Sequence, residues 1–191
     1  MITNQEKPEE LIRAERLIDE GKLDEALNLL RNFEEKGEVN PQDIVLCHLI
    51  KCDLLLQKGL NDKSLKLAEL TYKESLKLGK NLFSVDALIF MAESSIRLLN
   101  YDDAHEFNKQ GEELLKEFTE KLTSDYHRRQ ASIEFIKGKI GFYIGEPEQM
   151  IEHLENSLAL REEYSPKKEI AVTLSGVAWI FLQFKANLIG L

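Results

Sequence analysis

The sequence predicts an all-α protein, an α-solenoid of antiparallel helix pairs, from three observations. A short phrase recurs as Gly21-Lys-Leu-Asp-Glu-Ala26-Leu, Gly59-Leu-Asn-Asp-Lys-Ser64-Leu, Leu99-Asn-Tyr-Asp-Asp-Ala104-His and Gly145-Glu-Pro-Glu-Gln-Met150-Ile. Each copy reads as a tight turn entering a helix, and self-similarity at such a period marks stacked helical repeats. Between the copies, apolar residues recur at helical spacing, and no segment alternates with period two over a strand's length. The prolines and two glycines fall where helices of that spacing would start and stop.

Nine helices follow in order, over 8–20, 23–36, 41–58, 62–78, 85–99, 102–122, 125–144, 147–164 and 166–184. The first opens at Pro8 and carries Ala14 and Leu17, and the second carries Leu23, Ala26, Leu30 and Phe33. Asn40 caps the third with Pro41 at its first position, and Ser165–Pro166 repeats that device at the ninth. Pro147 opens the eighth. Gly37 and Gly79 follow the helices that close the first two repeats, where a left-handed C-terminal cap is expected. On the fourth helix Lys63, Lys66, Lys73, Lys77 and Lys80 share about 100° of arc, opposite Ser64, Ala68, Tyr72 and Ser75. That stripe reads as a solvated outer face.

The whole chain sets bounds. Its 191 residues are 43% hydrophobic and 31% charged, ordinary values for a folded domain. A net charge of −9 disfavours attraction to nucleic acid or anionic lipid. The N-terminus lacks a signal-peptide pattern. The most apolar stretch, 170–184, reads as too short for a membrane span. Cys47 and Cys52 point to different helix faces, and a reduced, cytoplasmic setting is the simplest expectation.

Ala14, Leu17, Gly21, Leu23, Ala26, Leu30 and Phe33 together resemble the tetratricopeptide repeat, a helix pair with small residues where the helices cross. Cys52, Leu55, Gly59, Ser64 and Ala68 form a second copy, and Gly138, Gly145, Met150, Leu154 and Ser157 a fourth. The third copy is weaker. Tyr101 and Ala104 fit, Glu93 stands where a small residue is expected, and Leu99 replaces the turn glycine. The turns are 38, 40 and 46 residues apart, against about 34 in the standard repeat. The resemblance implies a right-handed superhelix of four repeats (8–37, 41–79, 85–122, 125–164) and an incomplete fifth over 166–191.

It also implies a non-enzymatic scaffold that binds a helical or extended peptide in an apolar concave groove. The alternative is a peptide-sensing regulatory module of a longer signalling protein. In this family the first helix of each repeat lines the groove. Carried over, the lining is Leu11, Glu15 and Ile18, then Leu49, Asp53 and Leu56, then Phe90, Ser94 and Arg97, and finally Phe135, Lys139, Phe142 and Tyr143. Only Arg97 and Lys139 are basic, so a clamp for a C-terminal carboxylate is not expected, and an apolar partner fits better. In the fifth copy Trp179, Phe181 and Phe184 lack a second helix. A longer chain would supply one, or self-association as a homodimer would cover them.

No constellation points to chemistry. Cys47, His48 and Cys52 lack a fourth ligand for zinc, and His105, His127 and His153 fall in no His-Glu-x-x-His motif. Gly138, Gly141 and Gly145 follow no strand and read as points of close helix approach. The sequence therefore predicts no metal, no cofactor, no nucleic-acid or membrane partner and no enzymatic activity.

Overall fold

The computed structural model describes residues 7–79, 81–118 and 123–189. Within them the chain is all-α, with α1 (Glu9–Asp19), α2 (Leu23–Glu34), α3 (Pro41–Gln57), α4 (Asn61–Lys77), α5 (Asn81–Arg97), α6 (Tyr101–Lys116), α7 (Ser124–Ile144), α8 (Pro147–Tyr164) and α9 (Lys167–Ile189). It divides into two compact units, Met1–Ser94 and Ser95–Leu191.

The recurrent phrase builds one recurrent turn. Gly21, Gly59, Leu99 and Gly145 all adopt left-handed φ, at 73°, 71°, 64° and 79°. The next residue's N–H reaches back to a carbonyl five positions earlier: Lys22 to Leu17 at 2.9 Å, Leu60 to Leu55 at 2.9 Å, Asn100 to Ser95 at 2.9 Å and Glu146 to Gly141 at 2.8 Å. This closes the C-terminal carbonyls of the odd-numbered helix, and the even-numbered one starts a residue later. Three expectations change here. Gly79 is left-handed at 64°, but Gly37 is not. Pro8 and Pro166 lie just outside their helices rather than within the first turn. Helix α6 ends at Lys116, short of the expected 122, and residues 119–122 lie outside the described set.

In the first unit, Leu11, Ala14 and Ile18 of α1 meet Ala26, Leu30 and Phe33 of α2 and Cys47, Ile50 and Leu54 of α3. Helix α3 is buried on several sides, which is why its apolar residues do not form a single stripe. Asn40 Oδ1 accepts from Gln42 N–H at 2.9 Å, with Pro41 next to it, so the predicted cap forms. The crossing of α3 and α4 is tight: Ser64 Oγ donates to the Cys52 carbonyl at 3.1 Å. Both thiols are free, and burial pushes each up to about 12.

In the second unit, Met150 and Leu154 of α8 pack on Val177 and Ile180 of α9, with Phe135 and Phe142 of α7 and Phe184 of α9 against them. A Cβ added to Gly138 would sit 2.6 Å from Leu154 Cδ2, and one on Gly141 would sit 3.1 Å from Met150 N. A side chain at either position would press on α8, against the Leu154 side chain at Gly138 and against the Met150 backbone at Gly141. Thr123 Oγ1 caps α7, accepting from Tyr126 N–H at 3.2 Å. Small residues stand seven positions before each turn: Ala14, Cys52, Ala92 and Gly138, all buried. The third copy therefore keeps the pattern through Ala92. The small position of this copy is Ala92, fully buried, one residue before the expected Glu93.

Candidate functional site

The close contact of Gly138 and Gly141 with α8 fixes which side of α7 faces solvent. Tyr143 is two residues, or about 200°, beyond Gly141, and so projects away from α8. It is 36% exposed. Tyr101, the first residue of α6, stacks on it at 5.0 Å with rings 14° apart. Phe142 meets Tyr143 edge-on at 5.0 Å and Trp179 of α9 at 6.2 Å. The result is an aromatic row, Tyr101–Tyr143–Phe142–Trp179, across three helices of the second unit. The ammonium of Lys139 stands 5.8 Å above the Phe135 ring on the same helix. Rings of this size bind by area and by edge and face contacts, and their exposure marks a surface able to take a partner.

The predicted groove lining divides. Leu11, Ile18, Leu49 and Leu56 are at most 5% exposed and Ser94 is fully buried, so these five belong to the core. The error is geometric: a first helix packed on three neighbours buries most of its apolar side chains, and apolar character alone cannot separate groove from core. Glu15 is half-buried and paired with Lys7. Asp53 accepts from Gln57 at 3.0 Å. Phe90 packs on Val45, Leu49 and Ala87. In the second unit Arg97 and Tyr143 are exposed, while Phe135, Lys139 and Phe142 are half-buried.

At the C-terminal helix, Trp179 is 48% and Phe181 39% exposed. Phe184 instead packs against the α8–α9 cluster, which removes it from the expected open surface. Helix α9 runs longer than expected. Its 167–186 stretch is, by length and composition, long and apolar enough to cross a membrane, with 17% of its apolar window buried. The expectation that this stretch is too short for a span is thereby corrected. On α4, Lys63, Lys66, Lys73 and Lys77 are all exposed, and Lys80 lies outside the described residues.

Three ionic networks escaped the sequence. Glu34 of α2 accepts from Lys51 at 2.6 Å, and His48 lies 3.5 Å from Glu34 and 3.2 Å from Glu74. In the second unit Lys137 reaches Glu112 at 3.0 Å and Glu134 at 3.1 Å, while His153 Nδ1 is 2.7 Å from Glu134. Glu169 in the first turn of α9 is held by Arg128 and by Arg161, the latter at 2.5 Å. Most of these partners lie many residues apart, beyond any local spacing rule. Among the described residues no group of His, Cys, Asp and Glu is arranged to hold a metal ion.

The sequence matches no protein-family model and no curated protein. Among solved structures it is similar to BtubC (BKLC) from P. vanneervenii, with a TM-score of 0.63 and 17% identity, over 88% of this chain and 68% of that one. At that identity the likeness concerns the fold alone.

Proposed function

We propose that this chain is a protein–protein interaction scaffold of the tetratricopeptide kind, without catalytic activity of its own, that holds a peptide segment bearing aromatic or branched apolar residues. The observation that carries this reading is the aromatic row from Tyr101 to Trp179, with Tyr143 and Trp179 partly open to solvent. Aromatic anchors on a rigid helical frame dominate the energetics of binding surfaces. The groove reading contracts accordingly to Lys139, Phe142 and Tyr143 with Tyr101 and Trp179. Two free, buried thiols suit a reducing, cytoplasmic setting, and their elevated pKa values disfavour nucleophilic work.

Panning a displayed library of short peptides against the full chain tests this. Recovered binders should share spaced aromatic or branched apolar residues. Tyr101→Ala with Tyr143→Ala should weaken them about tenfold or more, and Lys66→Ala on the outer face of α4 should not. Binders indifferent to the two tyrosines would refute the proposal.

A further inference from the structure

Among the described residues Leu99 is the one non-glycine with a left-handed backbone, at φ 64°. The turn holds it there: Leu99 N–H donates to the Ile96 carbonyl at 3.0 Å, and Asn100 N–H to the Ser95 carbonyl at 2.9 Å. The other three copies of the phrase have glycine at this position, and glycine takes such a φ without strain. A strained residue is offset by contacts within the fold or stands at a functional surface. With 70% of its surface exposed, Leu99 has few contacts within the fold to offset the strain.

Beside it lies the open end of the aromatic row. Two residues on, at most about 7 Å of chain, Tyr101 stacks on Tyr143 at 5.0 Å. Ile144, next to Tyr143, is 51% exposed. The stack therefore sets two turns of the second unit side by side, with exposed leucine and isoleucine adjoining it. Charge says what this edge can receive. The segments that carry it, 99–103 and 143–148, hold four exposed carboxylates, Asp102, Asp103, Glu146 and Glu148, and no basic residue. Against them stand Arg97, Lys139 and about half a positive charge at the N-terminus of each of α6 and α8. The edge stays net acidic, which steers a basic partner toward it and repels an acidic one.

We infer that Leu99 is a partner-contacting residue, and that the peptide segment it receives carries aromatic or branched apolar side chains flanked by lysine or arginine. This rests on the aromatic-row reading and deepens it. It adds an apolar anchor outside the row and gives the partner a charge.

Two displayed peptide libraries with the same apolar and aromatic core, one flanked by Lys-Arg and the other by Asp-Glu, are panned against the full chain. Binders should come from the Lys-Arg library, and added salt should weaken them. Leu99→Gly should weaken them about fivefold or more, although it relieves strain in the turn. Leu99→Asn should do the same, because asparagine accepts the left-handed turn but removes the apolar side chain. Leu99→Met should bind like the parent. Circular dichroism checks that each variant is folded. Binders weakened by Tyr101→Ala with Tyr143→Ala, but unchanged by Leu99→Gly and Leu99→Asn, overturn this inference and leave the aromatic row standing. Equal recovery from both libraries does the same. A loss in Leu99→Gly that Leu99→Asn does not share also overturns it, since turn freedom rather than a contact would then be at work. Binders indifferent to the two tyrosines, or none from either library, remove the aromatic-row reading and this inference with it.

Discussion

Leu99 holds the left-handed turn conformation that glycine holds at the three equivalent sites, at φ 64° and with 70% of its surface exposed. For an L-residue with a Cβ that conformation costs about 1–2 kcal/mol, and so exposed a side chain recovers little of it by packing. Leu99→Gly should therefore stabilise the fold. Glycine's greater freedom in the unfolded chain takes back about 0.5–1 kcal/mol, leaving a net gain of up to about 1.5 kcal/mol. A urea midpoint that stays put or falls in this variant would show that the Leu99 side chain makes compensating contacts. The residue scale also shows how the sequence could be misread. The turn at Leu99 was legible only because its neighbours repeat the phrase of the other copies. The small residue before it is Ala92, seven positions back from the turn and fully buried, where the sequence pattern points to Glu93.

At the scale of elements, the helix pairs are set by how near two backbones can come. Gly138→Ala adds a methyl 2.6 Å from Cδ2 and 2.7 Å from Cγ of Leu154, itself fully buried. Alanine improves helix propensity by about 1 kcal/mol, while overpacking a dense core costs about 1–3 kcal/mol. The steric term wins, so thermal unfolding should move to lower temperature. Ala26→Leu, at a fully buried position among Leu30, Cys47 and their neighbours, should lose about 1–3 kcal/mol by the same mechanism. A melting temperature unchanged in both would mean that the crossings are looser than these distances indicate. Helix number and order were legible from the turn phrase and apolar spacing, because both follow from local chemistry. The ends of α6 and α9 were not. Residues 117–122 keep a helix-compatible composition past the point where α6 stops, and nothing in 185–189 is a helix breaker.

For the molecule as a whole, what the sequence could not show is which apolar faces close on neighbours, since that is decided by packing among three or more helices. Five groove candidates became core for this reason, whereas Tyr143, Trp179 and Phe181 stayed partly exposed. The same long-range packing creates the ion pairs that set the response to pH. Burial works against the charged forms of Glu112 and Lys137, but their mutual hydrogen bond, helped by Lys116 and Glu134, outweighs it. Glu112 is held below the ordinary 4.5 and Lys137 above the ordinary 10.5. A depressed carboxylate adds stability above its unfolded value, and that is lost as pH falls through the folded value. A raised ammonium adds stability below its unfolded value, and that is lost as pH rises through the folded one. The pair thus ties α6 to α7 most firmly between 4.5 and 10.5. Glu112→Gln should lower stability at neutral pH by about 1 kcal/mol, the scale of a partly exposed ion pair. It should also flatten the decline that the parent shows below 4.5. Urea midpoints for both proteins across that range decide it: parallel acid limbs would remove Glu112 as a contributor, and a parent curve that is steeper by the predicted difference would establish it.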